Sequence, residues 1–251
     1  MMVELWPCRR VSSERDERME VAVLISGGLG TRLRPVTYEI PKPLIPVQGR
    51  TLTEHILDVL KENGIRKVYM SIGYMADRIM GYFGDGKRFG VDMHYLVEDR
   101  ELGTGGWMKL IDRRPFGDFV VLNGDNLLDV DFEEMHRVHL RNQALITLAL
   151  TEVEDVSSRG VVKLDGDRIV EFVEKPKPEE APSNLISSGY YIFSSDVFDI
   201  IPESKSFMLE HHVFPRVAGM GKLCGYTCGG QWFDTGTFDR WQDVIFQWRK
   251  I

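Results

Sequence analysis

LISGGLGTRLRPVTYEIPKPL, residues Leu24 to Leu44, sets three glycines, three prolines, two arginines and a lysine directly behind an apolar start. Such a composition packs poorly as core, yet it is too rich in turn formers and fixed cations for a linker. An apolar run ending in glycines reads as a buried strand feeding a loop that can hold an anion. Glycine lets backbone N–H groups approach phosphate oxygens, and Arg32 adds a bidentate charged donor. Taken alone, the glycines also suit an ordinary tight turn. No GK[ST] follows, which removes a Walker loop, and Pro35 interrupts the helix that a dinucleotide fingerprint requires. Further on, PKPL fixes Lys42 between Pro41 and Pro43, so its amine is presented from a stiff segment. Loop and lysine read as two halves of one anion cradle.

Outward from this stretch, strand-like and helix-like patterns alternate. VAVLIS before the glycines predicts a strand, and TLTEHILDVLKENG a helix with the apolar stripe Leu52, Ile56, Val59 and Leu60 and Gly64 just beyond its end. KVYMSIG, VDMHYLV, DFVVLNGD and ALITLAL predict further strands, with helices over ADRIMGYFGDG and DFEEMHRVHLRN. This rhythm predicts an α/β fold with a mainly parallel sheet flanked by helices. Beyond about residue 155 the pattern changes: GVVKLDGDRIVEFVEKP reads as a hairpin with an Asp-Gly turn, SSGYYIF as a strand and FDRWQDVIFQWRK as an amphipathic helix.

Length and charge narrow the classes of function. A chain of 251 residues can bury a sizeable core, and its formal charge of −7 argues against broad nucleic-acid binding. Any phosphate must therefore be held by a local cluster. No apolar run approaches the ~20 residues of a membrane span. Residues 1–18 read as an extension without signal-peptide character, with Met19 a candidate start, and the expected location is the cytoplasm. Cys8, Cys224 and Cys228 lack metal-like spacing and read as small reduced thiols.

Asp125, in VVLNGDN, follows a buried strand at the end where open parallel sheets bind ligands, and a carboxylate there suits Mg²⁺. It also suits a turn or a helix cap. Asp234 in GGQWFDTGT has a similar setting. Glu174 and Lys175 stand at a strand end before Pro176, where a surface ion pair is the plain alternative. His136 and His139 can share a helix face but have no acidic third ligand in the local pattern, and His211 and His212 face apart. No Ser–His–Asp or Cys–His arrangement is present.

With these residues in place, the chain resembles the sugar-1-phosphate nucleotidyltransferases, the pyrophosphorylases that make NDP-sugars. The likeness covers about residues 19–245 and rests on GGLGTRLRPVT, PKPLIPV, ELGTGG, NGD, RGVV, FVEKP, SSGYYIF and WFDTGT in that family's order. It implies a Rossmann-like sheet carrying a smaller β-rich sugar-binding region, the nucleotide-diphospho-sugar transferase fold, as one domain over 19–251 without a C-terminal β-helix. It implies that a sugar-1-phosphate oxygen attacks the α-phosphorus of an NTP and expels pyrophosphate. By motif position, Arg32, Lys42, Lys175 and Asp125 would be catalytic, and Gly27, Gly28, Gly30, Thr31, Gly103 and Thr104 would bind the nucleotide. Gly160, Glu174 and Ser187 would bind the sugar, and Asp125 and Asp234 would hold Mg²⁺. A homodimer is compatible with the resemblance.

The chain also departs from the family pattern. Ser187-Ser188-Gly189 stands where the family commonly has NAG, and Phe238 where it often has proline. LGTGG resembles the GTP-using mannose- and heptose-phosphate enzymes, which favours GTP with mannose 1-phosphate; UTP or dTTP with glucose 1-phosphate is the alternative. Two other classes stay open. Asp129 and Asp131 could serve an NDP-sugar-dependent glycosyltransferase as a metal-binding acid pair. A non-catalytic regulatory paralogue would be expected to lack Asp125, Lys175 or Asp234, and all three are present.

Overall fold

In a computed structural model of the chain, which describes residues 19–249 except 113 and 116, VAVLIS forms strand β1 (Val21–Ser26). Its side chains feed two cores: Ala22 and Leu24 enter one and Val23 the other, and all three are fully buried. Burial on both faces is what a continuous apolar strand encodes. The predicted extension 1–18, with Cys8, lies outside the described residues.

The chain continues through β2 (Pro46–Val47), β3 (Arg50–Thr51), α1 (Leu52–Glu62), β4 (Lys67–Ile72), α2 (Ala76–Phe83), β5 (Asp92–Val97) and β6 (Asp118–Asn123). Next come β7 (Asn126–Leu128), α3 (Phe132–Arg141), β8 (Ile146–Glu152), β9 (Gly160–Asp165), β10 (Arg168–Glu174) and β11 (Leu185–Ser194). Then follow α4 (Phe214–Gly219), β12 (Leu223–Thr227), β13 (Trp232–Asp234) and α5 (Phe238–Gln247). Helix α1 begins with a capping box. Thr51 Oγ1 accepts from the Glu54 N–H at 3.3 Å, and the Thr51 N–H donates to Glu54 Oε1 at 3.4 Å. Its predicted stripe is buried, and Gly64, at φ +78°, turns the chain away after Asn63.

Nine strands form one sheet in the order β5-β4-β1-β6-β11-β8-β12-β10-β9. The expected parallel part is β5, β4, β1 and β6. From β11 onward the sheet is mixed, because β11 runs antiparallel to both β6 and β8. Strand β12, parallel to β8, has no sequence signal: LCGYT shows no alternation, and Gly225 packs its bare backbone on Leu150. Ile186 of β11 also pairs with Val161 of β9, so β11, β8, β12, β10 and β9 close on themselves into the β-rich region. The β9–β10 hairpin turns at Gly166, φ +58°, as its Asp-Gly signal predicts.

Alternation along β6 and β11 sends Val120, Leu122, Tyr190 and Ile192 to one core and Phe119, Val121, Tyr191 and Phe193 to the other. Each such fully buried side chain contributes roughly 1.5–3 kcal/mol. These two strands are the rigid floor on which the site is built. Cys224 is buried and Cys228 half-buried, both as free thiols. Among the described residues, no helix is long and apolar enough to cross a membrane.

Candidate active site

The carboxyl ends of β1 and β6 open into a cleft of about 320 Å³. Gly27, Gly28, Gly30, Thr31 and Arg32 line it from the glycine loop, Lys42 from the proline-flanked turn, and Asn123, Gly124 and Asp125 from the end of β6. The loop is held from below. Thr37 Oγ1 donates to the Gly30 carbonyl at 2.9 Å, and the Tyr74 hydroxyl donates to the Thr37 carbonyl at 2.8 Å. Gly27 sits directly on Glu98: a Cβ there would stand 2.5 Å from Glu98 Oε1. Glu98 is itself fixed by the Ser71 hydroxyl at 2.7 Å and the Leu102 N–H at 3.2 Å.

Lys42 lines the same cleft as the glycine loop, so the two halves of the predicted cradle share one cavity, and its Nζ donates to Asp125 Oδ2 at 2.6 Å. Burial acts to raise the Asp125 carboxyl, but Lys42, with Arg32 and Arg159, holds it below the ordinary carboxylate range. The Thr235 N–H and Oγ1 both donate to the Asp125 carbonyl, at 2.9 and 3.0 Å. The β7–β13 pair sets Asn126 opposite Asp234. Two residues distant in sequence, Asp125 and Asp234, thereby lie on hydrogen-bonded segments. Asp234 ion-pairs with Arg159 and, at 3.3 Å, with Arg240, and it accepts the Gly236 N–H at 2.7 Å. Both carboxylates line the second hollow, Asp125 paired with Lys42 and Asp234 with two arginines.

A second hollow of about 510 Å³ shares Arg32, Thr104, Asn123 and Asp125 with the first. It adds Arg159, Gly160, Glu174, Lys175, Ser187 and Asp234. At Gly160 a Cβ would stand 2.5 Å from the Phe172 ring and 3.0 Å from Glu174 Oε2, so glycine keeps this wall open. The exposed Lys175 amine reaches Glu174 Oε1 at 3.1 Å, combining the predicted ion pair with a place on the cavity wall. Ser187 Oγ is buried beside the Tyr191 hydroxyl yet outside hydrogen-bond geometry. Gly103 lines neither cavity: its backbone packs against the Phe207 carbonyl.

Sequence reasoning passed over Arg159, Glu210, Asn126 and Trp232, all of which line the second hollow. Arg159 directly precedes Gly160 in RGVV, but its partner Asp234 lies 75 residues on, beyond any local pattern. Of the acid pair at Asp129 and Asp131, Asp131 caps α3 by accepting the Glu134 N–H at 2.9 Å. Among the described residues no group of three or more His, Cys, Asp or Glu side chains gathers as a metal cage.

Comparison with known proteins follows the same lines. The family model described as "Nucleotidyl transferase" matches residues 21–249. The chain is 36% identical over 240 residues to UTP–glucose-1-phosphate uridylyltransferase of Synechocystis sp., covering 89% of this chain and 62% of that protein. It is 36% identical over 220 residues to mannose-1-phosphate guanylyltransferase of Mycobacterium tuberculosis, covering 86% of this chain and 61% of that protein. The chain thus spans about three-fifths of the length of these curated relatives. Among solved structures, HddC from Yersinia pseudotuberculosis superposes with a TM-score of 0.76 at 25% identity, covering 92% of this chain and 100% of that one.

Proposed function

Since this chain belongs to the nucleotidyl transferase family, we propose that it condenses an NTP with a sugar 1-phosphate to give an NDP-sugar and pyrophosphate. The observation that carries this reading is the convergence of Arg32, Lys42 and Arg159 on Asp125, at the seam of two joined cavities in a protein of formal charge −7. Both reactants are anionic, so the chemical task is to bring like charges together and to stabilise charge at phosphorus. The glycine-loop N–H groups and Arg32 bind the triphosphate, and Lys42 neutralises charge at the reacting phosphates. Lys175 binds the sugar phosphate from the far wall. A sugar-phosphate oxygen then attacks the α-phosphorus in line, and the bond to the β-phosphate breaks with its electrons leaving on pyrophosphate.

A pair of carboxylates suits Mg²⁺, which takes one or two of them and leaves its other positions to water and phosphate oxygens. Asp125 and Asp234 would hold it, and Lys42 keeps the first of them ionised. When bound, the cation supplies charge neutralisation at the phosphates. Asp125→Asn should weaken the response to Mg²⁺; turnover with an unaltered Mg²⁺ titration would remove this assignment.

For the substrates, LGTGG favours GTP and mannose 1-phosphate. UTP or dTTP with glucose 1-phosphate is the alternative, and the two named relatives are equally identical to this chain. A matrix of GTP, UTP, dTTP and ATP against mannose and glucose 1-phosphates, read as pyrophosphate release, tests both levels. Release from no pair would overturn the reaction itself.

A further inference from the structure

The loop 102–106, between β5 and β6, and the segment 206–210, after β11, are distant in sequence, yet they are laced together where the two cavities meet. The Phe207 N–H donates to the Leu102 carbonyl and the Gly105 N–H to the Phe207 carbonyl, each at 3.0 Å. The Leu209 N–H donates to Thr104 Oγ1 at 2.9 Å, and that hydroxyl donates onward to Glu210 Oε2 at 2.5 Å. Gly103 permits the approach: at φ +75°, a Cβ there would stand 2.6 Å from the Phe207 carbonyl oxygen. Thr104 lines both cavities, whereas Glu210 lines only the second.

Glu210 is unlike the other acids of the site. Asp125, Asp234 and Glu174 each pair with a lysine or arginine, but among the described residues no such cation pairs with Glu210. One oxygen is taken by Thr104, and the other has no side-chain donor among the described residues. Burial raises its carboxyl, Thr104 opposes that, and nearby Glu174 adds to it. The second hollow is lined by the carboxylates Asp125, Glu174, Glu210 and Asp234 and by the cations Arg32, Arg159 and Lys175. A ligand that fits carries hydroxyls for the carboxylates and a phosphate for the cations.

We propose that Glu210 is a positioning residue shared by the two substrates: one oxygen accepts a sugar hydroxyl, and the other, through Thr104, fixes the loop bordering the nucleotide cavity. This rests on the nucleotidyltransferase reading. The consequence is synergy. Occupying the hollow tightens Glu210, Thr104 transmits the constraint, and each substrate improves the binding of the other.

The test compares wild type with Thr104→Val, Thr104→Ser, Glu210→Gln and the Val/Gln double variant, each checked for folding by thermal melting. Pyrophosphate release is measured with GTP plus mannose 1-phosphate and with UTP or dTTP plus glucose 1-phosphate, at low and saturating NTP. In wild type the KM for sugar phosphate should fall as NTP rises. Glu210→Gln should raise that KM about tenfold, the effect of one charged hydrogen bond. Thr104→Val should abolish the dependence on NTP, and Thr104→Ser, which keeps the hydroxyl, should restore it. The double variant should be no worse than Glu210→Gln alone, because both act through one link. Independent, multiplying effects, or a sugar-phosphate KM unmoved by Glu210→Gln, would overturn the proposal. Thr104→Val keeps the test decisive if Glu210→Gln fails to fold. A wild type that releases no pyrophosphate from any pair overturns the reaction reading instead, before any variant is compared.

Discussion

Strand β6 has an aspartate at each end, and the two ends do different work. At its first residue, Asp118 Oδ2 pairs with His136 Nε2 at 2.9 Å, and Asp118 Oδ1 lies 3.7 Å from His139 Nε2, both histidines on α3. Just past its last residue, Asp125 pairs with Lys42 at 2.6 Å. A carboxylate beside a basic side chain is thus no mark of a site. Asp118 faces a helix that packs over it, whereas Asp125 opens into a cleft where Arg32 and Arg159 also arrive. Position decides: the carboxyl ends of β1 and β6 leave strand-end loops free to shape a cavity, while the opposite end is closed by α3.

The largest effect should come from breaking the cleft end. Lys42→Ala is expected to lower kcat/KM for the productive substrate pair about 10²–10³-fold, or ~3–4 kcal/mol of transition-state stabilisation. Its cost to folding should stay below about 1 kcal/mol, because the Lys42–Asp125 pair is partly open to solvent. Asp118→Asn is the mirror experiment, with kcat/KM unchanged and stability reduced. Steady-state kinetics and urea unfolding on both variants separate the ends; equal losses of rate would erase the distinction.

The closed end should show itself through pH. His139 is 2% exposed, and its Nδ1 meets Thr147 Oγ1 at 2.9 Å. Burial lowers its pKa from 6.5 to about 4, with Asp118 opposing and His136 adding. The unfolded chain therefore takes up the proton first, so stability falls as pH drops from 6.5 towards 4. The loss should reach about 2 kcal/mol by pH 5. Asp125 adds nothing in this window, because a carboxyl held below its ordinary value loses its contribution only at more acid pH. Urea unfolding at pH 7.5 and 5.0 should show the loss in wild type and a flatter slope in His139→Asn. Identical slopes would show that His139 is not the titrating group.

The same two ends explain how much was legible beforehand. GGLGTR and PKPL occupy one continuous stretch, so the residues that line the first cavity could be read from spacing, and VVLNGDN put Asp125 just past the carboxyl end of a strand. The second hollow depends on pairings no local pattern carries: β7 with β13, Arg159 with Asp234, Thr104 with Glu210. The histidines were read correctly as sharing a helix face, but their acid, Asp118, lies on the neighbouring strand, outside the period of α3. Strand β12 escaped because it contributes backbone pairing with little apolar alternation. Local periodicity reports what one element does; closure of a sheet on itself and the seam between cavities are properties of several.

The finest distinction lies within the cleft, between adjacent glycines. Gly28 has open space where a Cβ would go, whereas at Gly27 a Cβ would stand 2.5 Å from Glu98 Oε1. Glu98 has little freedom to retreat, since Ser71 and Leu102 hold both its oxygens. Gly27→Ala must therefore lift the loop, or break one of those hydrogen bonds at a cost of about 1 kcal/mol. Either outcome displaces N–H groups meant for phosphate, and the KM for NTP should rise about tenfold with a smaller change in kcat. Gly28→Ala should change neither by more than about twofold in the free enzyme's loop geometry, unless the bound triphosphate itself fills the space above it. That exception is informative. An intact melting curve with a raised KM at Gly28 would place phosphate against the loop's outer face, whereas an effect at Gly27 alone would make Glu98 the element that sets the height of the phosphate-binding backbone.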